Sequence, residues 1–222
     1  MNKDLVNIGF IGAGNMAGAL IAGLVKNKYN SSQIFVSSPE EEHLKNLKDS
    51  FSVNVTKDNV EVVKSASTLV LAVKPNVVES VLDELSAEIS KKDTLLMSIV
   101  AGYKIESIEK RLNSKSKIIR AMPNTPASIG MGVSALTSNK LVVDEDKAIT
   151  ESVFSSVGLT CWLDESAFDL FTALLSSGPA YIFYLIEALQ QAAKGLNLDE
   201  GITKELITEM IKGSSTLASL SE

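Results

Sequence analysis

Cysteine and histidine are nearly absent: Cys161 and His43 are the only ones among 222 residues. One cysteine excludes an internal disulfide framework and a cysteine-rich metal centre, and it fits a reducing compartment. Cys161 is expected to be a small buried apolar side chain. One histidine, within a charge-rich segment, excludes a histidine-centred triad or metal cluster, so no metal ligands are expected and His43 is read as a surface residue. Positive charge is short as well. Lys and Arg total 21 against 27 Asp and Glu, a net charge of −6, and no basic run stands out to neutralise phosphates, which argues against a nucleic-acid partner. The N-terminus lacks a charged region followed by a long apolar run and a cleavage site, and the longest apolar stretches are strand-sized. A soluble, cytoplasmic protein without a membrane segment is expected.

What is present is concentrated at the start. Val6 to Leu20 reads as an apolar strand, then a glycine-rich turn, then a helix. Gly12 allows the tight turn, Gly14 lets the backbone approach a pyrophosphate, and small Ala17 lets the helix pack on its strand, so that the helix N-terminus points at negative charge. The spacing is G-x-G-x-x-A in the strand-to-helix setting that dinucleotide binding requires. Seven further β-rich runs follow, at 33–36, 52–55, 68–73, 94–98, 117–121, 133–137 and 159–163, separated by helical segments. This alternation predicts an α/β fold, a parallel sheet with helices on both faces, over residues 1–163. From Asp164 the apolar residues recur at helical spacing, broken only at Ser176–Pro179 and Gly195–Asp199, which predicts an all-α domain over 164–222. Its segment Tyr181–Lys194 is apolar nearly all round. A helix of that kind must be buried, and a short helical tail cannot enclose it, so packing against another copy of the chain is expected.

Candidate chemistry gathers at the carboxyl ends of the predicted strands, where open α/β sheets bind ligands. The second run ends at Ser37-Ser38-Pro39-Glu40-Glu41, a serine standing where NAD-preferring enzymes place an acid for the ribose 2′-hydroxyl. Without that carboxylate the site leans to NADP(H), with NAD(H) permitted. Ser38, with Pro39 at N1 and Glu41 at N3, reads as a capping box, leaving Ser37 as the ligand candidate. Lys74 follows the fourth run, at Ala72-Val73-Lys74-Pro75. The turn Ser98–Gly102 and the loop Met122-Pro123-Asn124-Thr125-Pro126 share that edge, and two prolines make the latter a stiff loop suited to fixing groups beside a nicotinamide. A carbonyl reductase needs a proton donor, and Lys74 or a tyrosine would have to serve. A protonated imine accepts hydride without a dedicated acid, so a histidine-poor enzyme is compatible with imine reduction, in which positioning does most of the work.

Taken together, Phe10–Ala17, Ala72–Pro75, Val100–Gly102, Arg120–Pro126 and Ser177–Tyr181 resemble pyrroline-5-carboxylate reductases in order and spacing over nearly the whole chain. The resemblance implies NAD(P)H-dependent reduction of 1-pyrroline-5-carboxylate to L-proline, the last step of proline biosynthesis. It also implies a Rossmann-type domain followed by a helical domain that interlocks into homodimers or higher homo-oligomers. Carried over, the pyrophosphate loop falls on Ile11, Gly12, Ala13, Gly14, Asn15 and Met16, and the adenosine-side contacts on Ser37 and Asn59, which opens a helix. Nicotinamide-side contacts fall on Ala72, Val73, Lys74 and Pro75 and on Val100, Ala101 and Gly102. Met122, Pro123, Asn124, Thr125, Glu165 and Ser177 are carried over as the substrate side, and no residue is assigned a catalytic role of its own. For Glu165 the residues alone also allow a helix-start carboxylate.

Two departures stand out. Leu175 and Ser176 replace the Ser-Gly that opens the family's Ser-Gly-Ser-Gly-Pro-Ala-Tyr run, which is expected to stiffen the helix junction. The family continues past this end through a Ser-Pro-Gly-Gly-Thr-Thr segment that binds the substrate carboxylate, so the site here is expected to be shortened or completed differently. Two competing functions stay open on sequence: another reductase of the β-hydroxyacid dehydrogenase-like superfamily with Lys74 as proton donor, or a dinucleotide-binding module without turnover.

Overall fold

The computed structural model describes residues 6–112 and 116–220. Its first unit alternates strands and helices: β1 (Ile8–Ile11), α1 (Asn15–Lys26), β2 (Ile34–Ser37), α2 (Glu41–Phe51), β3 (Asn54–Thr56), α3 (Asn59–Ser65), β4 (Thr68–Leu71), α4 (Val78–Ile89), β5 (Leu95–Ser98), α5 (Ile105–Leu112) and β6 (Lys117–Pro123). It continues through β7 (Gly132–Ser138), α6 (Asp144–Phe154), β8 (Gly158–Trp162) and the short α7 (Phe168–Phe171). Each of the eight expected runs overlaps a strand of one sheet, ordered β3-β2-β1-β4-β5-β6-β7-β8.

β1, β4 and β5 are buried at every position. Strands covered on both faces have no solvent side to mark with polar residues, which is why they read as unbroken apolar runs. One face packs on α1, α2 and α6 through residues such as Leu20, Leu44 and Phe154. The other packs on α3, α4 and α5 through Val62, Leu82 and Ile108. The order β3-β2-β1-β4-β5 places the chain's change of direction between β1 and β4, where the loop after β1 opens.

The sheet is not parallel throughout. β7 runs antiparallel to β6, with Met122 opposite Ala135, and β8 is parallel to β7. Between Pro123 and Gly132 the chain has only a loop and the single-turn helix Thr125–Ile129. A parallel crossover needs a dozen residues or more, so the strand must turn back.

The two compact units part between Ser176 and Ser177, later than the boundary expected after Leu163. Phe168 and Phe171 explain the difference, because they are buried with Ala135 against Met122, Val133 and Leu163 of the first unit. A π-helical turn over Thr172–Ser176 precedes the division.

The second unit is a helical hairpin of α8 (Gly178–Ala192) and α9 (Glu200–Leu220). Asn197 closes the connection in the left-handed region at φ 52°. Asp199 opens α9 by accepting from the amides of Gly201 and Ile202 at 2.8 and 3.3 Å. No residue of α8 is buried in the single chain, and Phe183 and Tyr184 are 62% and 75% exposed.

Candidate active site

The turn after β1 is fixed by backbone. Gly12 sits at φ +106°, its amide donates to the Ser37 carbonyl at 2.9 Å, and a Cβ there would lie 2.5 Å from the Ala72 carbonyl oxygen. Only glycine fits. Gly14 faces open space, with nothing within 4 Å of an added Cβ. It is the N-cap of α1 and offers no side-chain cap, and the first turn of α1 holds no acid. The amides at that end are therefore left for an outside acceptor, and the helix dipole favours an anion there. Ala17 is 1% exposed, as close packing of α1 on the sheet requires. These features fit a dinucleotide pyrophosphate over Ile11–Met16.

At the end of β2 the structure departs from the sequence reading. Ser37 has no exposed surface, and its hydroxyl donates to Asn59 Oδ1 at 2.7 Å. Asn59 Nδ2 in turn donates to Glu84 Oε2 on α4 at 3.2 Å. The two expected adenosine-side residues are thus brought together, but the Ser37 hydroxyl is spent inside the protein. Asn59, at the first position of α3 and half-buried, is the member of the pair with accessible surface. Ser38 forms no capping box: its Oγ accepts from the Glu40 amide at 3.1 Å, and α2 begins at Glu41 with Glu40 as N-cap.

Beyond β4 the chain extends through Lys74, exposed at φ −67° and ψ 146°, into the single turn Pro75–Val77. Beyond β5 the Val100 amide donates to Ser98 Oγ at 3.3 Å, and Gly102 turns at φ +72°. Both segments lie at the same sheet edge as the Gly12 turn, because β1 pairs with β4 and β4 with β5 in parallel.

Arg120, on β6, is 3% exposed, and its Nη1 donates to Glu165 Oε1 at 3.0 Å. The same oxygen accepts the Ile105 amide at 2.9 Å, at the start of α5. The guanidinium carbon lies 4.7 Å from the centre of the Phe168 ring. Glu165 therefore closes the N-terminus of another helix and pairs a buried cation, a role the sequence reading did not contain. An arginine inside the apolar strand Lys117–Pro123 was the available signal, since a buried guanidinium demands a partner.

Asn124 is also committed. It is 7% exposed, its Nδ2 donates to the Leu175 carbonyl at 3.0 Å and its Oδ1 accepts the Val133 amide at 2.9 Å. The stiff loop is held by its asparagine as well as by its prolines. Thr125 is exposed and Met122 half-buried. Ser177 is the N-cap of α8 and belongs to the second unit.

His43 lies on α2, half-exposed, with Nδ1 beside Glu40. Cys161 is exposed, contrary to expectation, because β8 is the sheet's edge strand and the side chain stands on its outer part. Among the described residues no group of three or more His, Cys, Asp or Glu is placed to hold a metal. The helical run Glu165–Leu196 is long and apolar enough, by length and composition, to cross a membrane, so the longest apolar stretch exceeds strand size. Loss of polar spacing in 165–196 is what an apolar interface and a membrane span have in common.

Residues 7–102 match the family model described as NADP oxidoreductase, coenzyme F420-dependent, and residues 165–222 match the model described as pyrroline-5-carboxylate reductase dimerisation. The chain is 37% identical over 215 residues to a pyrroline-5-carboxylate reductase of Haemophilus influenzae, covering 95% of this chain and 77% of that one. It is 34% identical to the Escherichia coli protein of that name, over 95% of this chain and 78% of the relative. Among solved structures, a pyrroline-5-carboxylate reductase from Coxiella burnetii superposes with a TM-score of 0.92 at 37% identity, over 99% of this chain and 82% of the other. The Plasmodium falciparum pyrroline carboxylate reductase with NADP bound gives 0.88 at 32% identity, over 98% and 80%.

Proposed function

The chain belongs to the pyrroline-5-carboxylate reductase family, and on that premise we propose that it reduces 1-pyrroline-5-carboxylate to L-proline with NAD(P)H. The observation that most supports this reading is the Gly12 turn, packed against the Ala72 carbonyl so that only glycine fits, beside an uncapped α1 that offers its amides to an anion. When bound there, a reduced nicotinamide cofactor supplies the hydride. The chain's own residues bind and orient. Ile11–Met16 hold the pyrophosphate, and Asn59 meets the adenosine side in place of the buried Ser37. Ala72–Pro75 and Val100–Gly102 border the nicotinamide. Met122, Pro123 and Thr125 form the substrate side, on a loop that Asn124 fixes from within. Glu165 is a positioning residue through Arg120 and Ile105.

No side chain is required to protonate the reacting group, because a protonated imine is already an iminium. The pH profile then follows the substrate's protonation, and a His43→Ala enzyme with a tenfold altered rate would contradict this. The buried Ser37 leaves no carboxylate on β2 against a 2′-phosphate, which supports NADPH as the preferred cofactor with NADH accepted. α8 is apolar and wholly unburied in the single chain and lies in the segment matched to the dimerisation model, which supports a homodimer or larger homo-oligomer. We place the enzyme in the cytoplasm, with 165–196 covered by a second copy rather than by lipid.

The experiment is a cofactor-oxidation assay with purified chain. NADPH consumption that depends on added pyrroline-5-carboxylate supports the reading; cofactor-dependent thermal stabilisation with no turnover on that substrate contradicts it.

A further inference from the structure

Asn124 stands where its residue type ordinarily caps a helix, and it caps none. It is the N-cap of the single turn Thr125–Ile129, yet its side chain accepts from none of that turn's amides. Pro126, in the turn's opening positions, has no amide hydrogen, and the Ala127 amide donates instead to the Asn124 main-chain carbonyl at 3.1 Å. The carboxamide is thereby released to reach elsewhere. Its Oδ1 accepts the Val133 amide on β7 at 2.9 Å, and its Nδ2 donates to the Leu175 carbonyl at 3.0 Å, 51 residues along the chain.

That carbonyl lacks its ordinary donors. Leu175 lies in the π-helical turn Thr172–Ser176, which runs straight into α8. In an α-helix its carbonyl would receive the amide four residues on. That residue is Pro179, in the first turn of α8, and it has no hydrogen to give. The π-helical donor, five residues on, is Ala180, whose amide goes to the Ser177 carbonyl at 3.0 Å. Both helical donors are withheld from Leu175, and Asn124 supplies one from outside.

The two partners also fix the chemistry of the side chain. Val133 demands an acceptor and Leu175 a donor, and a carboxamide offers both where a carboxylate offers acceptors alone. At 7% exposure, water is poorly placed to replace either bond. The far end of the loop is closed without a side chain: a Cβ on Gly132 would lie 2.9 Å from the Ala127 backbone. Asn124 holds the near end, which carries Met122 and Thr125.

We propose that Asn124 is a positioning residue for hydride transfer with Pro179 as its complement. Proline withholds a donor from Leu175, the Asn124 carboxamide replaces it, and loop 122–125 is thereby held on the π-helical turn at the placement the reaction requires. Asn124 acts through the loop, so its loss lowers the rate and leaves cofactor affinity alone. Reactions that depend on placement are sensitive to shifts of an ångström or less. The proposal rests on the reductase activity inferred above.

The test is a double-mutant cycle: Asn124→Asp with and without Pro179→Ala, read on the purified chain at fixed concentration by thermal unfolding, NADPH titration and turnover of 1-pyrroline-5-carboxylate. Aspartate keeps the acceptor for Val133 and loses the donor to Leu175. With Pro179 present, Tm should fall by about 5 °C and kcat by about tenfold, while the Kd for NADPH stays within about twofold. With Pro179→Ala the main chain offers Leu175 an amide of its own. The same substitution should then cost about 1 °C or less, yet kcat should still fall about tenfold, because the loop has lost its tether. Asn124→Ala serves if the charged variant does not fold, since it removes the tether without adding charge.

Recovery of kcat together with Tm in the Pro179→Ala background reduces Asn124 to a structural role and overturns the proposal. An Asn124→Asp chain with unchanged kcat overturns it too, as does an equal thermal loss in both backgrounds. An unaltered chain that does not turn over the substrate overturns the proposed function and this inference together, whereas an active chain with any of those three results overturns this one alone.

Discussion

Arg120 and Glu165 meet at 3.0 Å with the guanidinium almost entirely withdrawn from water, and the carboxylate oxygen they share also receives the first amide of α5. One oxygen thus joins the central sheet, the helix that follows the Val100–Gly102 turn, and the segment leading into α7. Removing the carboxylate leaves a buried cation unpaired. Glu165→Ala should cost about 3 kcal/mol in urea unfolding at fixed protein concentration. Glu165→Gln keeps an acceptor for Ile105 and should cost less. Equal, negligible losses would show that the pair is not structural.

Gly12→Ala places a methyl 2.5 Å from the Ala72 carbonyl in a backbone region that L-residues avoid. The variant should lose at least about 2 kcal/mol and its NADPH-induced thermal shift together. A folded variant that still binds cofactor would remove the main structural support for the pyrophosphate loop.

Glu84 is the carboxylate that meets Asn59, at 3.2 Å, on the proposed adenosine side. Its charge opposes a 2′-phosphate and is indifferent to a ribose hydroxyl. Because the pair is exposed, screening keeps the effect modest: Glu84→Gln should tighten NADPH about threefold at low salt, with little change for NADH, and the gain should shrink as salt rises. Titration calorimetry with both cofactors checks it.

Tyr29 donates to the Val6 carbonyl, and burial pushes its phenol up to about 12. The unfolded chain, ionising near 10, gives up this proton first. The contribution is therefore complete below pH 10 and is lost as pH climbs from there through about 12. Chemical unfolding across that window should show falling stability, and a Tyr29→Phe chain should show a shallower fall.

The fold was largely legible because each strand overlaps a β-rich run and most runs are separated by segments whose apolar residues recur at helical spacing, and because the glycine turn stands in its required setting. What escaped was set by partners distant in sequence. The reversal of β7 depends on the length of the Asn124–Met131 connection rather than on the composition of the strand. Ser37 looked free for a ligand because Asn59, 22 residues away, is invisible at the end of β2. Glu165 looked like a helix-start acid or a substrate-pocket acid, and its two donors lie 45 and 60 residues away. Cys161 read as buried because a free cysteine is most often a small buried apolar side chain, and only the sheet order makes β8 an edge.

The central claim is hydride delivery to the carbon of an imine in a ring, and isotope transfer tests it most directly. NADPH carrying deuterium at the transferable C4 position is incubated with the purified chain and 1-pyrroline-5-carboxylate, and the product is read by mass spectrometry and NMR. The account predicts L-proline with a single deuterium on the ring carbon that was double-bonded to nitrogen. Proline without the label, or consumption of cofactor without proline, would contradict it.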